Sequence, residues 1–178
     1  QQRPISRLSD RIVYFSGVFL NQPYELGALG EGKYGYIDQK PLYRLDRFDC
    51  LTYVSTVLAL ANSHSLSTFQ EKIRQIQYYD AKVDYFKRYH FISLDWNPQN
   101  QHHGFLKDIT MDIKNESGWP IYKTARTYIN KRAWYEHKTL ESLHLIKSYS
   151  ESQAEQRLAL LKKKGKDVRS QTVLSWKW

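Results

Sequence analysis

Two residues carry the means for nucleophilic chemistry in this chain of 178 residues: Cys50, its only cysteine, and His90. A thiolate is an intrinsically strong nucleophile, and an imidazole titrating near neutrality is suited to take the thiol proton. Cys50 lies in the stretch Arg47-Phe48-Asp49-Cys50-Leu51-Thr52-Tyr53-Val54, which runs on through Val57, Leu58 and Ala61. At helical spacing Cys50, Val54, Val57, Leu58 and Ala61 form one apolar stripe. Asp49 then caps the helix and Cys50 sits in its first turn, where the backbone N–H groups and the positive end of the helix dipole favour a thiolate. The same pattern fits a small, inert core cysteine, and His90 fits a core histidine satisfied by backbone. The residues alone leave both pairs of alternatives open.

Three further groups invite a chemical reading. The glycine-dense stretch Pro23-Tyr24-Glu25-Leu26-Gly27-Ala28-Leu29-Gly30-Glu31-Gly32 lacks the Gly-Lys-Ser/Thr ending of a phosphate cradle, and Glu31 would repel a phosphate. It reads as a turn, either on the surface or packed close to a site where backbone and substrate must approach. His137, Glu141 and His144 would share one face of a helix, but no third strong ligand motif joins them, so a solvated face is the plainer account and no metal or cofactor is expected. Between Trp119 and Tyr135, tyrosines and tryptophans alternate with Lys123, Arg126, Lys131 and Arg132; this describes either a nucleic-acid clamp or, more simply, a half-buried strand with a basic face.

Stepping along the chain, Ile5, Leu8, Ile12, Phe15 and Phe19 predict an amphipathic helix over residues 5–20, stopped at Asn21-Gln22-Pro23. Residues 34–37 and 42–45 read as short strands leading into the Cys50 helix. Ser67 with Gln70 predicts a capping box for a second helix whose buried face is Phe69, Ile73 and Ile76. Residues 85–94, aromatic and β-branched, predict a strand carrying His90, followed by a polar loop over 95–104. Residues 105–113 fit strand or helix. Ser152 with Glu155 predicts the cap of a last helix ending at Gly165, and residues 172–178 alternate Leu174, Trp176 and Trp178 as a half-buried strand. A sheet edge ending on Trp178 leads us to expect that the natural polypeptide continues. There are no internal repeats or linkers, so residues 1–178 are expected to form a single domain.

Apolar residues make up 41% and charged residues 25% of the chain, a globular balance, and the longest apolar run, residues 57–61, is far short of the ~20 residues a spanning helix needs. No membrane span is expected. A net charge of +9 and 15% aromatic residues suit an anionic partner, whether nucleic acid, acidic lipid or a wall polymer. One cysteine rules out an internal disulfide framework. Gln1-Gln2-Arg3-Pro4 has no methionine and no apolar signal core, as in a mature end left by processing or a simple boundary.

Three segments together resemble the bacterial papain-like cell-wall amidases of the NlpC superfamily, specifically the N-acetylmuramoyl-L-alanine amidase-like family. They are Pro23-Tyr24 with Gly27 and the Leu29-Gly30-Glu31-Gly32 turn; Phe48-Asp49-Cys50-Leu51-Thr52-Tyr53-Val54 with Leu58-Ala59-Leu60-Ala61; and Arg88-Tyr89-His90-Phe91 followed by Asp95-Trp96. The resemblance covers residues 15–110. It implies an α+β, papain-like (NlpC-type) fold with the nucleophile heading a core helix packed on a mainly antiparallel sheet. It further implies cysteine-nucleophile amide hydrolysis, a peptidoglycan or muropeptide substrate cut at N-acetylmuramoyl-L-alanine, and a periplasmic or secreted location with the signal peptide removed. Cys50 becomes the nucleophile, and Tyr24, Asp49, Glu31, Asp95 and Trp96 become substrate-binding residues, Asp49 meeting a free amino group of the peptide. Superfamily members carry the general base on a strand after the cysteine, in a His-Val-Gly-like setting that is missing here; the base is therefore His90 or lies beyond Trp178. The rival readings are a non-catalytic basic and aromatic module binding nucleic acid or glycan, with nucleic acid the weaker, and a lipid-hydrolysing or transferase relative with the same thiol chemistry.

Overall fold

A computed structural model describes residues 5–146, 149–169 and 172–177, with only the backbone of the last segment. Contacts divide the chain into two units, Gln1–Arg88 with Leu143–Tyr149, and Tyr89–Ser142 with Ser150–Trp178.

In the first unit the periodic apolar residues form α1, Leu8–Val18, inside the predicted span. The next helix, α2, Cys50–Ala61, starts at the cysteine because Asp49 closes a capping box: its carboxylate accepts the Thr52 N–H while the Thr52 hydroxyl accepts the Asp49 N–H. Arg11 of α1 reaches the other end, donating to the carbonyls of Ala61 at 2.7 Å, Leu60 at 2.8 Å and Ser63, where a cation offsets the negative end of the dipole. Phe19, Phe48 and Val57 make the core between these elements, flanked by Ile12, Phe15, Tyr53 and Leu60. A third helix, α3, Leu66–Gln77, packs on α2 and buries Phe69, Ile73 and Ile76 as its spacing predicts.

The buried face of α2 differs from the predicted stripe. Thr52, Ser55, Thr56 and Ala59 are buried beside Val57, Leu58 and Ala61, whereas Val54 is 42% exposed and Cys50 is exposed. Short side chains let neighbouring backbone approach, and Thr52 is already committed to its cap. The account of Cys50 as a core residue is thereby overturned. Residues 34–37 and 42–45 are not strands; Gly35 closes a turn onto the Gly32 carbonyl, and Pro41 has no N–H to donate to a ladder. The cap of α3 is Ser65 with Thr68, two residues before the predicted Ser67.

Two further expectations are corrected. The predicted strand over 85–94 is instead a short turn at Tyr85–Lys87, where Asp84 accepts the Phe86 N–H, and a wide helical turn at Ile92–Trp96. Aspartate side chains offer the backbone local partners that compete with a ladder. The predicted loop after it is helical: α4, Asn97–His102, carries Pro98 in its first turn, and the buried Asn100 amide donates to the Trp96 carbonyl at 2.8 Å. Residues 105–113 contain one short turn, Thr110–Asp112.

Strand β1, Thr124–Ile129, is mostly exposed rather than half-buried. The chain then forms α5, Lys131–Glu136, and α6, Glu151–Lys166, capped by Ser150 with Gln153 rather than by Ser152. Gly165 lies inside α6, where any Cβ would collide with the Tyr135 side chain. Finally β2, Thr172–Lys177, pairs antiparallel with β1 from Thr124 opposite Lys177 to Ile129 opposite Thr172. The predicted strand is present; Trp178 and the predicted N-terminal segment Gln1–Pro4 lie outside the described residues, as do the side chains of β2.

Candidate active site

Three segments build one groove in the first unit. Phe48 pairs with the chain at Tyr24, its N–H donating to the Pro23 carbonyl and its carbonyl accepting the Glu25 N–H, both at 3.0 Å. This brings Tyr24 beside the start of α2. The end of α1 supplies Phe19 and the chain after it Leu20, Asn21 and Gln22, so that Cys50 lines a groove of about 420 Å³ with Tyr24, Asp49, Tyr53 and Val54. Tyr24 is 70% exposed. Asp49 is the only charged side chain in that lining. The positive charge of the chain is therefore not gathered in the groove, whose walls are mainly aromatic and aliphatic.

Asp49 does more than cap α2. One carboxylate oxygen accepts the Thr52 N–H at 2.8 Å and the other the Gly27 N–H at 3.0 Å, tying the glycine turn to the head of the cysteine helix. Gly27 holds φ +65°, a conformation that favours glycine. Its carbonyl accepts the Lys40 ammonium at 2.7 Å. Asp49→Ala should therefore cost about 1–2 kcal/mol of stability through the cap alone and also release the Gly27 turn. Urea denaturation compared with Asp49→Asn checks this; equal stability of the alanine variant and the parent would contradict it.

Glu31 stands on the same turn but not among the groove-lining residues. Its side chain is only 4% exposed, neither oxygen has a hydrogen-bond partner of normal geometry, and the Arg88 guanidinium lies 3.6 Å away. Burial, only partly offset by the Arg88 charge, pushes the Glu31 carboxyl up to about 8. Arg88 instead donates to Asp38 at 3.0 Å and to the Leu29 carbonyl at 2.5 Å. Burial also acts to raise the Asp38 carboxyl, but the His144 ring at 3.3 Å, close but not aligned as a hydrogen bond, and the Arg88 charge outweigh it and hold the group below its ordinary value.

The remaining predicted site residues belong to the second unit. His90 packs at a tilt against Trp134 with ring centroids 4.8 Å apart and meets the edge of Tyr135 at 6.3 Å. Asp95 is buried, paired with the Lys131 ammonium at 2.5 Å and accepting the Phe91 N–H at 3.3 Å. Trp96 is buried too. The helix face drawn for His137, Glu141 and His144 does not form: α5 ends at Glu136, the His137 ring contacts the Ala133 carbonyl, and His144 pairs with Asp38. Among the described residues no three metal-ligating side chains come together, and no helix is long and apolar enough to cross a membrane.

Residues 14–169 match the AmiA-like family, described as N-acetylmuramoyl-L-alanine amidase-like. The chain belongs to that family. Among solved structures, a Legionella pneumophila protein is 43% identical, covers 97% of this chain with 57% of its own length matched, and superposes with a TM-score of 0.93. A Bacteroides uniformis N-acetylmuramoyl-L-alanine amidase is 23% identical, with 96% of this chain and 65% of that one matched and a TM-score of 0.61, a likeness of fold. The chain thus spans less than two thirds of the length of these relatives. No curated protein matches it.

Proposed function

We propose that the chain acts as a cysteine-nucleophile amidase on peptidoglycan fragments, cutting the bond between N-acetylmuramic acid and L-alanine, on a papain-like, NlpC-type fold and outside the cytoplasm. The observation that carries the reading is the exposed Cys50 at the first position of a capped helix, lining a groove with Tyr24. Family membership supplies the substrate class.

In the reaction the Cys50 thiolate attacks the lactyl carbonyl carbon, and the Cys50 N–H at the head of α2 stabilises the oxyanion of the tetrahedral intermediate. The C–N bond breaks, the amine of L-alanine leaves with a proton from the base, and the lactyl carbonyl stays on sulfur as a thioester. Water then attacks the thioester, giving the free acid and restoring the thiol. A histidine would supply the base, and His90 is the candidate this chain offers. The Tyr24 hydroxyl orients the substrate, and the aromatic and aliphatic side chains of the groove receive its methyl and acetyl groups. Asp49, with both oxygens engaged by backbone N–H groups, contributes charge to an amine at the groove mouth while holding the helix start.

The chain should release L-alanyl peptide from an N-acetylmuramoyl-peptide, and iodoacetamide at neutral pH should stop that release while alkylating Cys50 alone. Mass spectrometry of the alkylated protein checks both. A Cys50 that reacts only after denaturation would sink the enzyme reading.

A further inference from the structure

We propose that Glu31, Asp38 and Arg88 form a proton-linked clamp that positions the Gly27–Gly32 turn and, through it, Asp49 and the head of α2. The inference stands apart from the amidase reading, since it concerns what holds the turn in place.

The geometry is that of one cation serving two buried carboxyl groups. Arg88 donates to Asp38 at 3.0 Å and to the Leu29 carbonyl at 2.5 Å, leaving Glu31 at 3.6 Å with no hydrogen bond. The groups that bear on Glu31 are Arg88, Asp38 and the more distant Asp84; the phenol of Tyr78 lies near enough to feel its charge, and His144 faces Asp38 from the 143–149 segment. Asp38 already balances Arg88. A second carboxylate would therefore add a charge that Arg88 only partly offsets, out of reach of water, a cost that favours opening of the turn once the group ionises.

The turn is wired to α2 by a continuous set of bonds. Gly30, Glu31 and Gly32 donate their N–H groups to the carbonyls of Pro41, Asp38 and Lys40, at 2.8, 2.9 and 2.8 Å. The Lys40 ammonium holds the Gly27 carbonyl, and the Gly27 N–H holds Asp49, whose other oxygen caps α2. The Tyr78 hydroxyl pins the Gly30 carbonyl at 3.1 Å. Gly30 also packs so close to the Asp38 carboxyl that a Cβ there would overlap it, so a shift of the carboxyl pair moves the turn. Glu31, Asp38 and Arg88 thus act on Cys50 through other groups, as positioning residues.

The sign of the pH dependence follows from the raised folded-state value. The unfolded chain ionises Glu31 near the ordinary 4.5, the folded chain near 8. The contribution of Glu31 to stability is present below 4.5 and is lost as pH rises from there to about 8.

The test compares the parent chain with Glu31→Gln, which keeps the shape and removes the charge. Thermal midpoints measured from about pH 5 to pH 9 should fall in the parent relative to the variant, and the Gly27 amide resonance should shift in the parent with a midpoint near 8 and stay flat in the variant. Parallel stability profiles, or a Gly27 resonance indifferent to pH, would overturn the clamp. Should Glu31→Gln fail to fold, the carboxyl ¹³C resonance of Glu31 in the parent decides: a midpoint near 8 supports the clamp and one near 4.5 refutes it.

Discussion

Cys50→Ala is expected to lower release of L-alanyl peptide by roughly four to six orders of magnitude, the scale on which loss of a covalent nucleophile acts. The side chain is exposed, so the unfolding free energy should move by less than about 0.5 kcal/mol. That separation makes the variant informative: kcat collapses while the fold and the groove persist. If His90 is the base, His90→Ala should be comparably damaging to kcat, although it also removes a ring packed against Trp134 and will cost some stability. Steady-state kinetics on an N-acetylmuramoyl-peptide, with circular dichroism as the control for folding, checks both variants.

The second large effect is on stability. Arg88→Ala should cost about 3–5 kcal/mol, because it leaves the buried Asp38 carboxylate without its cation and the Leu29 carbonyl without its donor. Asp38 is held below its ordinary value when folded, so its stabilising contribution is present above that value and lost as pH falls through the lower, folded one. Without Arg88 that contribution shrinks, the His144 ring remaining beside Asp38. The gap between parent and variant should therefore be widest near neutrality and shrink in acid, which urea denaturation at two pH values will show; a gap that widens in acid would contradict the assignment of Asp38 as the charged partner.

The features legible in the sequence were those encoded within a few residues. Asp49 followed by Cys50, Leu51 and Thr52 specifies a capped helix start wherever it lies in a fold, and Phe69, Ile73 and Ile76 declare their own buried face. The terminal strand was likewise visible in its alternation. The stretch around His90 was misread because aromatic and β-branched residues signal a strand only when no nearby side chain competes, and Asp84 and Asp95 both take backbone N–H groups there. The stripe through Cys50 and Val54 failed for a different reason. Burial in α2 follows the close approach made possible by Ser55, Thr56 and Ala59, which apolar spacing does not register.

The carboxyl cluster was the least legible part. Glu31 and Asp38 lie close in sequence, but Arg88 and His144 come from distant stretches and meet them only through tertiary structure, so that His144 read as part of a solvated helix face and Arg88 as a strand residue. Glu31 itself was read as arguing against a phosphate cradle and, by resemblance, as a substrate-binding residue, and neither reading anticipates its burial beside Arg88. By contrast the groove could be anticipated, since Tyr24, Asp49 and Cys50 were each singled out by resemblance and the structure brings those three to one lining.

The central claim is that Cys50 carries the acyl group between the two halves of the reaction. Mixing the chain with an N-acetylmuramoyl-peptide, quenching in acid within the first turnover and measuring the intact protein by mass spectrometry tests it directly. The account predicts a transient mass increase equal to the muramoyl acyl group, located on the peptide containing Cys50, discharged by hydroxylamine and missing in Cys50→Ala. Steady release of L-alanyl peptide with Cys50 unmodified throughout, or undiminished release by Cys50→Ala, would contradict it.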